Sequence, residues 1–239
     1  MKKILILIGV GIALLGLGLL ILPEKNVINP PEQVFGGTST VVDNFDSYTD
    51  GDLNGQGSWS GYVGFDVQGT TVQAGTKAVS VTGVSSNEHI DQTINAESGS
   101  QVYYMRSPVN NVYSGRVSGY GAGGVYLWNV ALYSDGNIKY YGVETWETIQ
   151  AYSADTWYKI EVQWDCGTDL IRYRVDDGTW TNWVGFIVGR TDTAVANIQM
   201  YVPTENTGTT IYFDSFSDPN AAPPTIPKKV LPPIIIEEI

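Results

Sequence analysis

The chain has 239 residues, with 13 Lys and Arg against 25 Asp and Glu, a formal net charge of -12, 27 Gly and 12% aromatic residues. Nucleic-acid binders gather basic patches against phosphate, so this balance excludes a nucleic-acid partner. One cysteine, Cys166, and one histidine, His89, also exclude an internal disulfide and any zinc site built from several Cys and His ligands.

In chain order, Lys2 and Lys3 precede an uncharged apolar run from Ile4 to Leu22 that ends at Pro23. At 1.5 Å per residue the run is about 28 Å long, close to the hydrocarbon thickness of a bilayer. It is longer than the apolar region of a cleaved signal peptide and lacks a small-residue cleavage site, so residues 1–23 read as a transmembrane signal anchor. The lysines keep the N-terminus in the cytoplasm and place the rest outside a cell membrane, with secretion after cleavage as the alternative. Residues 24–40, with Pro30, Pro31, Gly36 and Gly37, have linker composition, and residues 221–239 form a Pro-rich tail expected to be disordered. Residues 41–220 are one domain-sized unit. They keep eight basic and 21 acidic residues, so the net charge of -13 belongs to this unit and not to the ends.

Within it the period is two. The expected strands begin with Val41–Phe45, Trp59–Val67, Ala78–Thr82, His89–Ile94 and Gln101–Arg106. Gly124–Tyr133 and Ile138–Val143 flank an Asp135-Gly136 turn and read as a hairpin. In Thr156–Asp165 the apolar Tyr158, Ile160, Val162 and Trp164 alternate with Lys159, Glu161, Gln163 and Asp165. Asp169–Val175 follows as its antiparallel partner, with an arginine opposite Glu161. Ala194–Val202 and Thr210–Phe216 complete the set. Short strands separated by Gly, Asn, Asp and Ser turns predict an all-β sandwich of two antiparallel sheets, with the transmembrane helix ahead of it.

The strings DNFDSYTDGDL (Asp43–Leu53) with Gly57 and Trp59, ALYSDGNIKYY, DTWYKIEVQWD, RYRVDDGTW and IYFDSF (Ile211–Phe216) resemble the concanavalin A-like lectin and glucanase superfamily, in particular laminin-G-like jelly rolls. The resemblance covers about residues 41–218. It implies a jelly roll, and a role among lectins, adhesion modules, glycosidases and lyases. It also implies a calcium ion near the first and last strands, with Asp43, Asp46 and Asp214 at the matching positions; carboxylate oxygens suit Ca²⁺.

Catalysis finds no support in the sequence. The Glu-x-Asp-x-x-Glu string of glucanases with this fold is absent, Glu144 and Glu147 fall on opposite strand faces, and Glu161 with Asp165 reads as a solvated, neutralised surface. His89 lacks the flanking order of lyases, and acidic neighbours raise the Cys166 thiol pKa instead of activating it. The chain is therefore expected not to be an enzyme. Trp146, Trp180 and Trp183 lie in or beside loops and are candidates for stacking on sugar rings, whereas Trp128, Trp157 and Trp164 lie in strands and belong to the core. The resulting expectation is a membrane-anchored extracellular binding or adhesion module for a glycan or cell-surface polysaccharide. A surface-coat or virion structural protein and a divergent glycoside-active enzyme are the alternatives.

Overall fold

The computed structural model describes residues 43–83 and 86–217. The anchor expected over 1–23, the linker 24–40 and the tail 221–239 lie outside the described residues. No helix among the described residues is long and apolar enough to cross a membrane.

Fifteen strands are described: β1 Gly51–Asp52, β2 Trp59–Gly61, β3 Phe65–Gln68, β4 Ala78–Thr82, β5 Glu88–Ala96, β6 Ser98–Arg106, β7 Gly115–Gly121, β8 Tyr126–Leu132, β9 Asn137–Tyr141, β10 Trp146–Ala151, β11 Tyr158–Asp165, β12 Leu170–Val175, β13 Val184–Gly185, β14 Val195–Val202 and β15 Thr210–Ser217. They form an eight-stranded sheet in the order β1-β3-β4-β15-β6-β11-β12-β13 and a seven-stranded sheet in the order β10-β9-β8-β7-β14-β5-β2. Every pairing is antiparallel.

Alternation explains the sandwich. Ile160, Val162 and Trp164 of β11 point between the sheets with Ile171, Tyr173 and Val175 of β12, and Val117, Trp128, Val130, Ile198 and Met200 meet them from the other sheet. Trp128 stacks on Trp164 at 6.2 Å and Tyr140 on Tyr173 at 4.6 Å across the interface. At one end Phe45, Trp59 and Phe216 pack within 5.6–6.0 Å of one another. The hairpins read from the sequence are present, with Glu161 opposite Arg174 and Val130 opposite Tyr140.

Three expectations are corrected. Trp59–Val67 is two strands in different sheets, parted by Gly61 and Gly64, whose φ values of 151° and 104° suit glycine. Of Val41–Phe45, the described part holds a single bridge, Asp43 to Phe216, before Phe45 turns at φ 60°. Trp157 precedes β11 and is half-buried against Tyr212 instead of lying in the core.

Candidate functional site

The predicted calcium ligands lie near one another in the fold but are committed to protein donors. Asp43 Oδ1 accepts the Phe45 N–H at 2.8 Å, and its Oδ2 accepts Trp59 Nε1 at 2.8 Å and Tyr48 Oη at 2.5 Å. Asp46 Oδ1 accepts the Thr76 and Lys77 N–H groups at 2.6 and 2.9 Å, and Asn44 Nδ2 donates to its Oδ2. These bonds, that from Thr76 foremost, hold the Asp46 carboxyl below its ordinary pKa. The buried Asp214 accepts the Gln73 and Ala74 N–H groups at 2.8 and 3.3 Å and the Ser215 hydroxyl at 3.2 Å, and burial raises its pKa. Asp46 and Asp214 thus pin the 73–77 loop from two sides. All three carboxylates are therefore engaged by protein N–H and O–H donors. Among the described residues no group of three or more His, Cys, Asp or Glu is placed to hold a metal.

The three candidate tryptophans do not converge. Trp180 and Trp183 flank the β12 arginines: the Arg172 guanidinium lies 4.7 and 4.8 Å from their rings, and Arg174 lies 4.6 Å from Trp180. Beside them, on the outer face of the eight-stranded sheet, is a cavity of about 760 Å³ lined by Asp43, Tyr48, Tyr104, Lys159, Glu161 and Arg174. Glu161 is not on a solvated surface: it is 1% exposed, with Lys159 Nζ at 3.0 Å and Arg174 Nη2 at 2.6 Å. The charge of this cavity is largely matched within the protein.

Trp146 opens β10 on the outer face of the opposite, seven-stranded sheet. Tyr133, Tyr141 and Tyr113 surround it at 5.1, 5.2 and 6.0 Å. Ala131 lies fully buried in the same part of the sheet, opposite Arg116 and Lys139. Pairing registers carry this face across the sheet. Asp91, Gln199, Ser118 and Asn129 form one row over β5, β14, β7 and β8, and His89, Tyr201, Arg116, Ala131 and Lys139 form the next. Gln199 Nε2 donates to Asp91 Oδ1 at 2.8 Å. The buried oxygens Gln199 Oε1 and Asn129 Oδ1 have no hydrogen-bond partner among the described residues. Burial raises the Asp91 pKa, although the bond from Gln199 and the nearby His89 oppose it.

Arg116 is the centre of this face. Its Nε donates to Ser118 Oγ at 3.2 Å, Nη1 to Tyr113 Oη at 3.0 Å, and Nη2 to Tyr126 Oη. The guanidinium carbon lies 3.7 Å from the Tyr201 ring centroid and 4.6 Å from that of Tyr126. Burial pushes the Tyr113 hydroxyl up to about 12 against the pull of Arg116. At one end a hollow of about 290 Å³ opens between Asn111, Tyr113, Tyr133 and Glu205.

The sequence pointed to Trp146 but missed Arg116, because β7 itself went unrecognised. Its inward positions are Val117 and glycines, with no bulky apolar row to reveal the strand. Gly119 is required there, since a methyl group would collide with the Trp128 indole. The available signal was an arginine within a tyrosine-rich stretch, Tyr113 to Tyr126. Elsewhere, Glu144 and Glu147 share one exposed hollow with Tyr140 and Val184. Cys166 is buried, and burial first, then Asp192, pushes its thiol up to about 12.

No family model matches the chain, and no curated protein matches its sequence. Among solved structures it is similar to a sialidase (12% identity, TM-score 0.57, covering 76% of this chain and 19% of that one). It is also similar to a Crh5 transglycosylase (13%, TM-score 0.53, covering 77% and 85%). A third likeness is to the carbohydrate esterase vb_24B_21 from Shiga toxin-encoding bacteriophage phi24B (12%, TM-score 0.52, covering 74% and 97%). The chain spans about a fifth of the sialidase's length. At these identities the likeness is one of fold, a β-sandwich consistent with a jelly roll of the concanavalin type. It overturns the expectation that the chain is not an enzyme: all three neighbours are carbohydrate-active enzymes.

Proposed function

We propose that this domain is a concanavalin A-like sandwich that recognises carbohydrate on the outer face of its seven-stranded sheet. The observation that carries the reading is the partly exposed cluster Tyr113, Tyr133, Tyr141 and Trp146, with the partly exposed Asp91, His89 and Lys139 on the same sheet face. Carboxylate, amide and hydroxyl groups pair with sugar hydroxyls, while ring faces pack on sugar C–H faces. The reading extends to a domain held outside the cell membrane by residues 1–23 and facing a cell-surface polysaccharide.

The test is a glycan panel probed with the full chain, scoring both retention and release of reducing sugar. Trp146→Ala is expected to weaken binding by roughly tenfold, the scale of one lost aromatic contact. Trp180→Ala, on the other sheet, is expected to leave binding unchanged. Absence of any bound or altered glycan would sink the reading, as would loss of binding in Trp180→Ala with none in Trp146→Ala.

A further inference from the structure

The charge of Arg116 is not matched within the described fold. Arg106 pairs with Asp155 at 2.6 Å, and Arg174 pairs with Glu161 at 2.6 Å. No Asp or Glu oxygen among the described residues lies within 4.0 Å of the Arg116 guanidinium, in a chain with 25 acidic residues. Its neighbours are three neutral hydroxyls and two tyrosine rings. These hydroxyls and rings offset the burial of the guanidinium, which keeps its charge with no carboxylate partner among the described residues. Guanidinium has five N–H donors, and three are used within the protein. One hydrogen remains on each of Nη1 and Nη2, matching the two oxygens of a carboxylate. The rings of Tyr126 and Tyr201 hold the guanidinium in place, so little freedom is lost on engagement.

We propose that the glycan bound on this face is acidic, a sugar bearing a carboxylate that Arg116 grips through Nη1 and Nη2. The inference rests on the carbohydrate reading above and narrows its ligand class. Affinities of the full chain are measured for galacturonate, glucuronate and mannuronate oligosaccharides, for sialylated oligosaccharides, and for the carboxyl-reduced form of each. The reduced forms keep the same rings without the charge. A sulfated, uronate-free galactan is the arm for a tetrahedral anion. At least one carboxylate sugar is expected to bind about tenfold or more tightly than its reduced form. Arg116→Lys keeps the charge but not the fork, and is expected to lose most of that preference; Arg116→Gln is expected to abolish it, with folding of both checked by near-UV circular dichroism. Equal affinity for acid and reduced forms, or an unchanged preference in Arg116→Lys, overturns the inference while leaving the carbohydrate reading in place. Preference for the sulfated galactan over every carboxylate also overturns it. If both variants fail to fold, the wild-type ratio of acid to reduced form decides. Absence of binding to any glycan overturns both readings.

Discussion

Replacing Asp43 by alanine tests what joins the first described residue to the sandwich. The carboxylate receives three hydrogen bonds, from the Phe45 backbone, the Tyr48 hydroxyl and the Trp59 indole. In the alanine variant water can reach the half-buried Tyr48 and the backbone, so each of those losses costs about 1 kcal/mol or less. Trp59 is 1% exposed, and its orphaned N–H carries a desolvation cost of about 1–3 kcal/mol. The sum is about 3 kcal/mol, or roughly 6–12 °C in Tm for a domain of this size. The assay is urea denaturation of the full chain followed by tryptophan fluorescence, repeated with calcium and with EDTA. A loss below about 1 kcal/mol would refute the view that this carboxylate ties Phe45 and Trp59 to Phe216. A loss that appears only with calcium would show instead that Asp43 acts through an ion.

Two further outcomes concern the partly buried Asp91 and the buried Cys166. Asp91 has a raised folded-state pKa, so between the ordinary value of 3.8 and that raised value the native state holds the proton that the unfolded chain releases. Its contribution to stability is therefore largest below 3.8 and declines as pH rises through the folded pKa. The urea midpoint of the wild type minus that of Asp91→Asn should fall across this window, and a difference that rises with pH would contradict the assignment. For Cys166, a thiol near 12 is almost wholly protonated at neutral pH, so iodoacetamide should leave the native chain unmodified and alkylate it in guanidinium. Equal rates in the two states would show that the thiol is open in the fold.

Much of the sandwich was legible because its central strands alternate cleanly: β11 and β12 could be paired, and Glu161 set opposite an arginine, from period two alone. The burial of that glutamate was not legible, because its surroundings include β6 and the 43–48 segment, which come from distant parts of the chain. The break between Trp59 and Val67 was hidden for another reason. Both halves alternate, and only the positive φ at Gly61 and Gly64 shows that the chain changes sheets there. The site was half legible. Trp146 stood out as an aromatic beside a turn, but its partners Tyr113 and Tyr133 come from different segments. Asp43, Asp46 and Asp214 matched a calcium pattern by residue type, whereas backbone N–H groups brought in by the 73–77 loop decide what Asp46 and Asp214 do.

The place of β15 in the eight-stranded sheet bears on how the protein is made. The last described strand is fourth in order, between β4 and β6, so β1, β3 and β4 join the rest of that sheet through a strand translated after all the others described. While the ribosome is still making β14, the facing edges of β4 and β6 expose unpaired N–H and C=O groups, the condition in which nascent chains invite wrong pairing or chaperone capture. A chain stopped before Thr210 would lack the middle of a sheet and not merely its trimming.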